Sequence, residues 1–107
     1  MPNTTYTIEV ETRGNKRDIY LVLSPHLRRH IFSISLLLLN DGRTRFLLRH
    51  VKKENLGALT DEIGMTEFQR RISLMYRKLN EETTCAGKFL FTMETGESKD
   101  STLVRQQ

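Results

Sequence analysis

Five side chains able to donate hydrogen bonds, Thr66, Gln69, Arg70, Ser73 and Arg77, are spaced by three and four residues along what would be one side of an α-helix. The arginine fork and the glutamine amide match the edges of guanine and adenine, and the major groove of DNA admits one helix, so the chemistry open to this set is base reading. Lys78, Arg43, Arg45 and Lys88 complete the group expected to meet DNA, chiefly at phosphates. The plain alternative is the solvated face of an amphipathic helix. A short helix immediately upstream and a basic N-terminal half tip the expectation towards DNA.

Other chemistries find little support. His26 and His30 stand at i, i+4, a spacing that can chelate a metal on a helix, but no His-Glu-x-x-His arrangement or third ligand accompanies them. Cys85 has no charged neighbour in sequence nearer than Glu82 and Lys88, so a structural thiol is expected rather than a nucleophile. Asp61 and Glu62 are adjacent and would diverge on a helix, and no phosphate-cradling glycine loop is present. The expectation is a non-enzyme with no cofactor, no metal and no small-molecule substrate.

The charge is unevenly spread. Residues 13–53 carry ten Lys/Arg against Asp18 and Asp41, whereas residues 54–107 carry seven against nine acids. A concentrated positive field suits a polyanion. At 107 residues the chain is the size of one domain, and one cysteine permits no internal disulfide, which fits a reducing compartment. The opening Met-Pro-Asn-Thr-Thr-Tyr lacks the regions of a secretion signal, and the longest apolar run, residues 31–39, is far short of a bilayer span. A cytoplasmic protein without membrane contact is expected.

The elements that must position these residues follow from periodicity. Tyr6, Ile8 and Val10 alternate with polar residues, Gly14-Asn15 offers a turn, and Ile19, Leu21 and Leu23 resume the alternation, predicting a hairpin over 5–23. Ser24-Pro25 followed by Leu27, Ile31, Ile34 and Leu38 predicts a capped helix. The competing reading of residues 31–51 is a hairpin turning at Asn40-Asp41-Gly42. Leu56, Leu59 and Ile63 before Gly64 predict a second helix. Thr66 with Gln69 forms a capping box ahead of Phe68, Ile72, Met75 and Leu79, predicting a third helix over about 66–82. Residues 88–93 predict a strand meeting a Thr95-Gly96 turn.

This order resembles the winged-helix effector domain of OmpR/PhoB-type and ToxR-type transcription regulators, here without an attached receiver. Leu23-Ser24-Pro25 leading into Leu36–Leu39 is similar to the family's entry into its first helix, and Asn40-Asp41-Gly42-Arg43 to the turn after it. Glu54–Leu59 looks like the second helix, and residues 71–79 like the recognition helix pattern Ile-Ser-x-Leu-Arg-x-Lys-Leu. Glu94-Thr95-Gly96-Glu97 stands where the family's wing closes with Gly-x-Gly-Tyr. The resemblance implies an α+β winged helix-turn-helix with an N-terminal β-hairpin, three helices and a C-terminal β-hairpin wing over residues 1–96. Residues 97–107 would be a polar tail or short returning strand.

The implied function is sequence-specific regulation of transcription, with the third helix in the major groove of double-stranded DNA and a homodimer or another regulatory protein as further partner. The alternative is a small α+β protein-interaction module of the phage- or plasmid-inhibitor or accessory-factor kind, using the apolar and basic surface around residues 46–51 and lacking specific DNA binding.

Overall fold

The structure, a computed structural model, describes residues 4–81, 87–95 and 100–106, with the side chains of Thr44 and Phe46 left out. Cys85, the residues around it, and Gly96-Glu97 of the expected wing turn lie outside the described residues.

Six strands make one antiparallel sheet. The alternation at the N-terminus forms β1 (Thr5–Arg13) and β2 (Lys16–Ser24), joined through Gly14, whose φ of 60° suits a residue without a Cβ. The chain continues through β3 (Leu27–Leu38) and β4 (Thr44–Val51), then a helical hairpin, α1 (Lys53–Ile63) and α2 (Met65–Glu81), and finally β5 (Gly87–Glu94) and β6 (Ser101–Gln106). The strand order is β4-β3-β2-β1-β5-β6, so the helices carry the chain back across the sheet and lay β5 beside β1.

This corrects the winged helix-turn-helix. The segment expected to be the first helix is β3, and there are two helices among the described residues, not three. Ser24 pairs with Leu27, so Pro25-His26 is a hairpin turn; proline's fixed φ serves a turn as well as a first helical position. The expected stripe fails at its ends, because Ile31 and Ile34 are buried but Leu27 is 54% and Leu38 73% exposed. Residues 31–51 form the competing hairpin, with Leu39 N–H donating to Arg43 O at 2.7 Å and Gly42 at φ 85° in the turn. Residues 87–94 do not protrude as a wing, since β5 is hydrogen-bonded between β1 and β6, and the expected tail contains the returning strand β6.

The two remaining helices cover one face of the sheet. Leu56 and Leu59 of α1, with Phe68, Ile72, Met75 and Leu79 of α2, pack on Ile8, Val10, Ile19, Ile34, Phe89 and Phe91. Gly64 at φ 84° closes α1, its N–H donating to Thr60 O at 2.7 Å, while its carbonyl accepts from Phe68 N–H and opens α2. Burying each aliphatic or aromatic side chain of this layer stabilises the fold by roughly 1.5–3 kcal/mol.

Candidate binding groove at the β4 margin

The face of the sheet away from the helices is polar, and its charges are largely matched internally. Arg28 reaches Glu9 and Glu11 and lies 4.0 Å over the Tyr20 ring, and Arg13 pairs with Asp18 at 2.6 Å. Asp18 also accepts from Ser33 Oγ at 2.5 Å, and His30 Nε2 stands 2.9 Å from Ser33 Oγ and 3.4 Å from Asp18. Burial opposes ionisation of Asp18, but hydrogen bonds from Ser33, Arg13 and His30 outweigh it and hold the carboxyl at about 2.

A serine, a histidine and an aspartate in contact invite comparison with a hydrolytic triad, and the geometry rejects it. One and the same nitrogen of His30 faces both partners, Ser33 is directed onto the carboxylate, and Ser33 is 3% exposed. A triad needs the histidine between serine and carboxylate, with an accessible nucleophile. His26 sits in the β2–β3 turn and His30 on β3, so their helical chelating spacing does not exist. Among the described residues no group of three His, Cys, Asp or Glu is placed to hold a metal ion. Likewise no helix among them is long and apolar enough to cross a membrane.

The opposite face has an opening. Between the β3–β4 end of the sheet and the N-terminal half of α2 lies a groove of about 690 Å³. Phe32 and Ile34 of β3, Leu48 and Val51 of β4, and Leu56 of α1 form its floor and end. Met65, Phe68, Ile72 and Tyr76 of α2 form the far wall, with Gln69 and Ser73 as polar side chains there. Leu48 is 61% and Met65 53% exposed, so apolar surface reaches the rim.

Beside the groove runs β4, paired to β3 on one side and at the edge of the sheet on the other. Arg49 is an extra residue on this strand, a bulge between the pairs Ser33–His50 and Ile34–Leu48. Arg45 and Arg49 are exposed, and Lys52 and Lys53 follow at the entry to α1. Among the described residues none of these four cations has an ion-pair partner, whereas Arg43 in the turn is held by Asp41 at 2.5 Å.

Of the residues expected to meet DNA, Thr66, Gln69, Arg70, Ser73 and Arg77 are exposed along one side of α2, where Gln69 and Ser73 also line the groove. Arg70 folds back on Glu67 through two bonds, and hydrogen bonds from Arg70 and Arg71 hold that carboxyl at about 2 against the effect of burial. Lys78 is half-buried and donates to Ser101 O at 2.6 Å. Lys88 pairs in register with Glu11 on the face of the sheet opposite α2, beside Glu9 and Arg28. Comparison with protein-family models, curated proteins and solved structures finds no match for this chain.

Sequence reasoning did not single out Met65, Phe68 or Tyr76 as groove residues. Phe68 belongs to the core stripe by spacing, and only the position of β4 opposite it turns part of that stripe into a wall. Leu48 carried the available signal, an apolar residue within a run of five cations from Arg43 to Lys53 that contains no acid.

Proposed function

We propose that this chain is a protein-interaction module whose groove receives the apolar side chains of an acidic segment of another protein. The observation that carries the reading is the apolar groove with exposed Leu48 and Met65 at its rim, beside an edge strand and a helix entry that carry Arg45, Arg49, Lys52 and Lys53. Contiguous exposed apolar surface rimmed by polar groups marks interaction sites on soluble domains. The four cations favour carboxylates around the apolar anchor and disfavour a second copy of this chain, whose own β4 would bring the same charges.

Double-stranded DNA is less well served. On the polar face Arg28 and Arg13 are already matched by Glu9, Glu11 and Asp18, and on α2 Arg70 is matched by Glu67. Cations engaged by carboxylates release few counterions from a phosphate backbone.

Selection from a displayed random-peptide library tests the reading, with Leu48→Asp as the counter-selecting variant and random-sequence DNA in competition. Peptides carrying apolar residues among acids, retained by the parent and lost by Leu48→Asp, are expected. Recovery of no peptide that depends on Leu48 overturns the proposal. So does a duplex that the protein retains against competitor with a sequence preference, which would return the regulator to first place.

A further inference from the structure

The ladder between β3 and β4 fixes which backbone groups of β4 look outward. Hydrogen bonding alternates along an antiparallel pair, and Leu39 N–H donates to Arg43 O. Counting back in twos, Arg45 and Leu47 direct their N–H and C=O to β3. The same alternation turns Leu36 away from β4, and its N–H indeed donates to Asn15 O at 2.7 Å on the other side. Residues 44, 46 and 48 therefore present their backbone donors and acceptors to the outside of the sheet. The Arg49 bulge ends this regular stretch.

We infer that the partner segment binds as a seventh strand, added antiparallel to residues 44–48 of β4, with apolar and acidic residues in alternation. This rests on the groove being a protein-binding site and names how its occupant is held. Strand addition draws affinity from the exposed backbone edge and specificity from alternate side chains. Partner residues opposite 44, 46 and 48 share the face of Leu48 and point towards the groove; those opposite Arg45 and Leu47 lie on the other face, beside the Arg45 guanidinium. Apolar side chains suit the first set and carboxylates the second. Antiparallel addition continues the pattern of the whole sheet and has the better bond geometry.

The edge charges also explain how β4 avoids its own kind. An open strand bearing Leu48 is a template for self-pairing, and Arg45 and Arg49 along it repel an identical edge while attracting an acidic one.

The experiment uses the full chain and a fluorescently labelled synthetic peptide of alternating leucine and glutamate, read by anisotropy. Saturable binding is expected, weakened about tenfold or more by exchanging glutamate for lysine and, in the protein, by Arg45→Glu. In an antiparallel addition the leucine N–H groups bond to β4 and the glutamate N–H groups face solvent. N-methylation at leucines should therefore abolish binding, and at glutamates leave it within about threefold. Sensitivity at glutamates instead overturns the antiparallel arrangement. Indifference to N-methylation at both, with binding still lost in Leu48→Asp, overturns strand addition while leaving the groove as the site. Binding unaffected by Leu48→Asp overturns the groove reading itself.

Discussion

The two margins of the sheet are finished differently. At the β6 margin α2 is tied down: Arg71, nearly fully buried, donates to Glu67 at 2.8 Å and to Ser101 Oγ at 2.6 Å, and Lys78 donates to Ser101 O. Nearby, Tyr6 donates its hydroxyl to Glu62 of α1, and burial together with that carboxylate pushes the phenol up to about 12. At the β4 margin no side chain of α2 among the described residues hydrogen-bonds to β4, and the space between them is the groove. A single helical layer, set towards one side of a six-stranded sheet, closes that side and leaves the other open. Stability is thereby concentrated at one margin, and the binding proposed above would use the other.

The sharpest break between the margins should come from Arg71→Ala. It deletes charge-assisted bonds in a buried position and leaves acceptors behind, at a cost of roughly 2–4 kcal/mol in urea unfolding. A loss under about 1 kcal/mol would mean that the β6 margin is not the anchor.

Asp18, near the middle of the sheet, comes next. Its folded pKa lies below the unfolded value, so its stabilisation is complete above about pH 4 and drains away as pH falls towards 2. Asp18→Asn should be less stable than the parent by about 2 kcal/mol at neutral pH, with the gap narrowing between pH 4 and pH 2. A gap constant across that window would detach the acid sensitivity from this carboxylate.

The open margin should hardly respond in stability. Leu48→Asp, at an exposed edge site, is expected to change unfolding free energy by less than about 0.5 kcal/mol while removing peptide binding. If it unfolds the domain as Arg71→Ala does, Leu48 is core and the division fails. The smallest effect is reserved for Arg70→Ala, an exposed ion pair with Glu67 at i, i+3, expected to leave the urea midpoint where it is. A clear fall of the midpoint there would show that α2 is held by its solvent side as well.

The same contrast separates what could be seen in the sequence from what could not. β1, β2, α1, α2 and β5 follow from local pattern: strict alternation at Tyr6-Ile8-Val10, and a stripe at Phe68-Ile72-Met75-Leu79 closed in front by Gly64. Local pattern failed at β3, where Ser24-Pro25 serves a cap or a turn equally and Ile31 with Ile34 fits a helix stripe or, through the extra residue beside Tyr20–His30, a bulged strand. That one element decided between a helix-turn-helix and a meander. The groove lies further out of reach, since it exists only because strand order places Leu48 opposite Phe68, a relation between residues distant in sequence. The apolar and basic stretch around residues 46–51 was visible as a surface, but not its wall.

The strand order has a consequence for synthesis. β1 ends in the interior of the sheet, flanked by β2 and β5, yet roughly seventy residues separate it from the strand that covers it. At 5–20 residues per second a ribosome needs roughly 4–15 s to make that stretch. Until β5 is made, β1 lacks one of the two strands that flank it, so an edge that the finished sheet buries stays unpaired until most of the chain has been synthesised.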